Sequence, residues 1–158
     1  MRRYRRIISI RYEGILLAFL GSAFPVILFN IDRKKIIWAG LCGAFGWAVY
    51  LFVFSYTNST ITSSFCGTLA VGFYSEIMAR VKKTPASQFS IPGIFPLVPG
   101  ISLYNTVRFI VEGNYKSAEA KAFETVAVGG AIAFGIMIST TTVRLILQAI
   151  KGRAERPQ

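Results

Sequence analysis

The sequence predicts an all-α fold: a polytopic bundle of transmembrane helices with about five spans, the fourth of them broken by prolines and glycines. Three observations predict it. The chain is 53% hydrophobic, and its charges are segregated, with long stretches carrying none and short stretches carrying clusters. Residues 36–75 hold no acid or base apart from tyrosine and cysteine. A later apolar stretch contains Pro92, Pro96, Pro99, Gly93 and Gly100. Segregated charge is the pattern of a chain whose solvent is lipid.

A spanning helix needs about 20 mostly apolar residues to cross a hydrocarbon core of roughly 30 Å. Residues 14–29 are uncharged, a little short, interrupted by Pro25 and edged by Glu13 and Asn30; they form the first span. Their basic start resembles a signal peptide, but no small-residue cleavage site follows, so none is expected. The basic turn Asp32-Arg33-Lys34-Lys35 comes next. Residues 36–75 are too long for one helix and must hold two spans, 36–55 and about 61–80, turning at the polar cluster 56–60. Lys82-Lys83-Thr84-Pro85 ends the third span. The broken fourth covers 89–111, the connector 112–121 follows, and the fifth span runs from Thr125 to about Ile150. Four spans is the alternative, if the first or fourth segment only dips into the bilayer. Residues 1–150 then form one transmembrane domain, and 151–158 form a charged, disordered tail containing Pro157.

The net charge of +11 comes from 18 Lys+Arg against 7 Asp+Glu. Basic residues flank the apolar segments, as loop charges meeting anionic lipid do. The run Arg2, Arg3, Arg5 and Arg6 is read the same way, and a nucleic-acid partner is not expected. Counting charges by loop favours an outside N-terminus and a cytoplasmic C-terminus, while the arginine-rich start argues the opposite. With no histidine, one aspartate, and Cys42 and Cys66 lacking metal-type spacing, neither a metal site, a cofactor nor a disulfide framework is expected. The cysteines are read as small apolar filler. The same inventory argues against an intramembrane enzyme.

Small residues recur at intervals of four. Ala127, Ala131, Gly135 and Ser139 do so in the fifth span, Ala39/Gly43 and Gly40/Ala44 in the second. Such faces let membrane helices approach closely. The third span carries a polar-or-small stripe of Thr60, Ser64, Thr68, Gly72, Glu76 and Arg80. It serves either interhelical packing, with Glu76–Arg80 as an i,i+4 pair, or a solute pathway lined by Glu76.

The broken segment is the most informative. Phe95 and Val98 both precede prolines, so 95–98 should leave regular helix, and Pro99 can open a new helix where its missing N–H costs nothing. The N–H groups of Gly100, Ile101 and Ser102 would then face the break and favour an anion. Tyr104, Asn105 and Arg108 follow on neighbouring faces, and a guanidinium suits a carboxylate. A plain proline kink with Arg108 snorkelling to the interface is the competing reading.

Pro96-Leu97-Val98-Pro99-Gly100 followed by Tyr104, and preceded by Glu76, Ala79-Arg80 and Pro85, resembles the threonine/serine exporter (ThrE-like) family. In length and span number the chain resembles its small, YjjB-type subunit. The resemblance covers nearly the whole chain, although only the proline-glycine stretch with its tyrosine is specific. It implies a bacterial inner-membrane, multi-pass transport protein that works with a larger membrane subunit of the same family. It also implies export of threonine and serine, or of a dicarboxylate such as succinate. Pro96, Pro99, Gly100 and Tyr104 are the positions the motif carries; Ser102, Asn105, Arg108 and Glu76 rest on the physical reading. A five-span half joined to an inverted partner would fit the architecture of many transporters. No nucleotide-binding loop is present, so an ion gradient would drive it. A non-transporting scaffold or regulatory subunit is the competing function, and a homo-oligomer fits the small-residue faces equally well.

Overall fold

The computed structural model describes residues 2–28 and 32–154, with side chains for 13–28, 32 and 34–149. These form six α-helices and two 3-10 turns, with no strand among the described residues. α1 (Arg2–Leu28) runs through Pro25 without ending. The basic turn forms a short 3-10 helix, Arg33–Lys35, its first N–H groups drawn back to Asp32.

α2 (Ile36–Thr57) and α3 (Thr60–Val81) form a helical hairpin on a two-residue turn. Asn58 takes the left-handed conformation (φ 50°), and its N–H closes α2 on the Phe54 carbonyl at 3.0 Å. Ser59 then caps α3, its hydroxyl accepting from the Thr62 N–H at 3.4 Å. At its other end α3 stops in a Schellman turn: Lys83 has φ 52°, and the Thr84 N–H reaches the Ala79 carbonyl at 2.9 Å.

α4 (Ser87–Ile94) continues into the second 3-10 turn, Phe95–Leu97. Val98 is extended, with ψ 133°, because Pro99 follows it. α5 (Gly100–Val111) restarts beyond Pro99 and leaves at 49° to the piece before it. The break is narrower than the prolines predict. Phe95 stays helical (φ −48°, ψ −43°) although Pro96 comes next, since Pro96 falls in the first positions of the 3-10 turn, where no N–H is required. α5 ends at Gly113, whose φ of 74° allows a second Schellman turn, and α6 (Tyr115–Ala154) completes the chain. α6 therefore carries helix into the first four residues of the expected tail; 155–158 lie outside the described residues.

The α2–α3 hairpin is the centre. α1 packs on α2, α6 on α3, α4 across both, and α5 diverges onto α6. Glycines set these contacts. A Cβ on Gly67 would stand 3.0 Å from the Gly46 carbonyl oxygen, and one on Gly135 would stand 3.0 Å from that of Phe65. Gly43 faces the Ser22 hydroxyl and Gly72 that of Ser139, each without room for a methyl group. Close backbone approach replaces hydrophobic association between helices in lipid. Cys42 is buried with Val71 and Leu97, Cys66 is partly buried, and both thiols are free, in line with a filler role.

Two helices, α2 and α6, are long and apolar enough to cross a membrane, and the bent pair α4–α5 makes up to a third. The apolar part of α1, Glu13–Leu28, is shorter. α3 matches α2 in length but is not apolar enough, because it carries Thr60, Ser63, Ser64, Thr68, Ser75 and the Glu76–Arg80 pair. Apart from Thr60, those hydroxyls and Glu76 are turned into the bundle: Ser63, Ser64, Thr68, Ser75 and Glu76 are all buried. Large apolar side chains meanwhile cover the outside, among them Leu17, Phe24 and Ile37 and, on α6, Phe134 and Leu145. This inversion of polarity suits a lipid surround.

Candidate functional site

The break in the fourth segment opens onto a cavity of about 210 Å³. At roughly 30 Å³ per water it holds the equivalent of about seven waters, which is the scale of a small solute. Pro96, Leu97, Val98, Pro99, Gly100, Ile101 and Ser102 form one wall; Trp47, Tyr50, Thr60, Ser64 and Val128 form the others.

Two helix N-termini converge on this cavity. Thr60 and Ser64 stand at the start of α3, and Gly100 to Ser102 at the start of α5. Each contributes the positive end of a helix dipole, so together they favour an anion. On α5 the first N–H taken up along the helix is that of Leu103, by the Pro99 carbonyl at 3.0 Å. The Gly100 N–H turns back to the Val98 carbonyl at 2.8 Å, so it is not free as the sequence led one to expect. Ile101 and Ser102 retain the first-turn donors.

The opposite side of the cavity is aromatic. Trp47 and Tyr50 stack with centroids 4.9 Å apart, and Tyr50 stacks in turn on Phe54 at 5.9 Å. The spacing of three and four residues puts this ladder on one face of α2. Just behind the cavity wall, the Ser102 hydroxyl donates to Glu124 of α6 at 3.1 Å, and Lys121 pairs with the same carboxylate at 2.6 Å. The Ser102 bond ties α5 to α6 beside the break, and the Lys121 pair, within α6, holds the carboxylate in place.

Of the residues singled out from the sequence, Pro96, Pro99, Gly100 and Ser102 line the cavity. Tyr104 points away, 67% exposed, and Asn105 is partly buried on α5 outside the cavity walls. Arg108 is exposed and engaged with Glu112 at 2.7 Å, one helical turn further on. Glu76 sits deep in the bundle and pairs with Arg80 at 3.3 Å, lining a separate cavity towards the far end of α3. Sequence reasoning missed Trp47, Tyr50, Val128 and Glu124. Thr60 and Ser64 already stood in the polar stripe of the third span, and that stripe was the available signal.

No solved structure matches the chain. The sequence model of the Threonine/Serine exporter, ThrE, family matches residues 14–142, which reach into α1 and α6, cover α2 to α5 in full and take in the whole cavity at the break. A membrane-type helical bundle, a broken helix with the proline-glycine motif, and this match over most of the chain agree: the protein belongs to the threonine/serine exporter family.

Proposed function

We infer that the chain is a membrane subunit of a secondary exporter for small carboxylate-bearing solutes, and that the cavity at the break is where the solute binds. The convergence of two helix N-termini on a solute-sized cavity carries this reading. The solute's carboxylate meets the N–H groups of Ile101 and Ser102 and the hydroxyls of Thr60 and Ser64. Its aliphatic part lies against Trp47, Tyr50 and Val128. Glu124, one hydrogen bond behind Ser102, already pairs with Lys121 at 2.6 Å, so the two charges offset each other and a solute's ammonium group would have to displace that lysine. The cavity admits a zwitterionic amino acid such as threonine or serine and a dicarboxylate such as succinate alike, and the family match favours the amino acid.

The chain acts in the bacterial inner membrane, as a multi-pass protein, beside a larger membrane subunit of the same family. Separate cavities that share only α3 and α6 do not provide a closed transport path, and an inverted partner would supply the remaining walls. The test is efflux of labelled threonine and labelled succinate from cells expressing the chain with and without its genomic neighbour. Threonine efflux that needs both chains is the expected result. If neither solute moves in any combination, the chain is a scaffold or regulatory subunit instead.

A further inference from the structure

A second cavity, of about 570 Å³, lies where the far end of α3 meets α4 and α6. Its walls include Glu76 and Arg80 of α3, Thr84 in the following turn, Ser87 and Ser90 of α4, and Arg144 of α6. Three features set its chemistry. Arg80 is held by the Glu76 carboxylate at 3.3 Å and by its backbone carbonyl at 3.2 Å, so their charges offset one another. Arg144 has no acidic partner among the described residues, which leaves the cavity with one uncompensated positive charge. The Thr84 hydroxyl is buried without a hydrogen-bond partner, a condition that calls for a ligand or water.

We propose that this cavity is a second binding site for a small organic carboxylate, with Arg144 taking the anion and the hydroxyls of Thr84, Ser87 and Ser90 completing its shell. Arginine pairs a carboxylate through two parallel N–H bonds, and flanking hydroxyls satisfy the remaining lone pairs. The position gives the site a role. Ser64 at the break cavity and Glu76 at this one are twelve residues apart on α3, roughly 18 Å along the helix. Between them Thr68 packs on Gly135 and Gly72 on Ser139, which closes the path. The two cavities are thus vestibules on either side of a waist of small residues, threaded by the polar stripe of α3. The proposal rests on the export reading only for the class of ligand, and a binding measurement separates its failure from a failure of export.

The experiment is calorimetric titration of the purified full chain in discs of zwitterionic lipid, with acetate, succinate and threonine as probes. Arg144→Gln is expected to weaken carboxylate binding at this site by about tenfold or more. Arg144→Lys is expected to recover part of it, and Glu76→Gln to tighten it several-fold by removing the opposing charge. Ser64→Ala, in the other cavity, should leave this component in place. Circular dichroism and gel filtration confirm that each variant is folded. Absence of any carboxylate binding to the wild-type chain, or an Arg144→Gln variant that binds as wild type, overturns the proposal. Anionic lipid in the discs should weaken probe binding only modestly; complete displacement would make the cavity a headgroup site and overturn the proposal as well.

Discussion

Arg108 and Glu124 make opposite predictions although each forms an ion pair. Arg108 is outside the cavity walls and its partner Glu112 is itself 46% exposed, so the pair contributes little. Arg108→Ala should leave threonine efflux within about threefold of wild type. Glu124 stands behind Ser102 at the cavity wall. Glu124→Gln leaves Lys121 without its partner and should raise succinate efflux relative to threonine efflux several-fold, since only succinate carries a second negative charge. Equal effects on the two solutes would remove Glu124 from recognition. The residues legible in the sequence were those whose role follows from local backbone chemistry. Pro96, Pro99, Gly100 and Ser102 belong to one short run, and proline geometry alone locates the break. Trp47, Tyr50 and Val128 come from other helices, and nothing in their local sequence distinguishes them from lipid-facing or core residues. Only the packing of α2 and α6 around the break brings them in.

At the scale of the element, the break depends on Val98 and Pro99. A proline inside a helix costs about 3 kcal/mol or more, so the chain changes direction there instead of continuing. Pro99→Ala removes that penalty, allows α4 and α5 to approach a continuous helix, and should abolish efflux while leaving helix content unchanged by circular dichroism. Efflux at wild-type levels would show that the bend is incidental. The helix contacts give a second prediction. Gly72→Val places its side chain against Ser139 and should destabilise the bundle by about 1–3 kcal/mol, read from thermal unfolding in detergent. Ser139→Gly in the same chain should restore part of the loss. The recurrence of small residues every four positions made these faces legible. Their partners were not, because intervals show which face is small but not which helix it meets. The end of the break was misjudged at Phe95 for a related reason: the rule on residues before proline disfavours helix, and a 3-10 turn satisfied both Pro96 and the continuing helix.

For the whole molecule, segregated charge and apolar length were sufficient to identify a helical membrane-type bundle. They did not fix the number of spans. α3 occupies the centre, and its hydroxyls and Glu76–Arg80 pair make it too polar to register as a span on apolarity, although it is as long as α2. A helix packed against others on most sides can bury polar residues on its inner faces while Phe73 and Ile77 stay exposed, so its mean apolarity does not announce its depth. If solute occupies the cavity at the break, two glycine positions should respond differently to added bulk. Gly100 lines the cavity and a Cβ added there meets nothing within 4 Å; a Cβ at Gly129 is equally unhindered, and Gly129 lies outside the cavity walls. Labelled threonine efflux should therefore fall by about tenfold or more in Gly100→Leu, which adds bulk at the cavity wall, and remain at wild-type levels in Gly129→Leu. Undiminished efflux by folded Gly100→Leu protein, or equal loss in both variants, would contradict that occupancy.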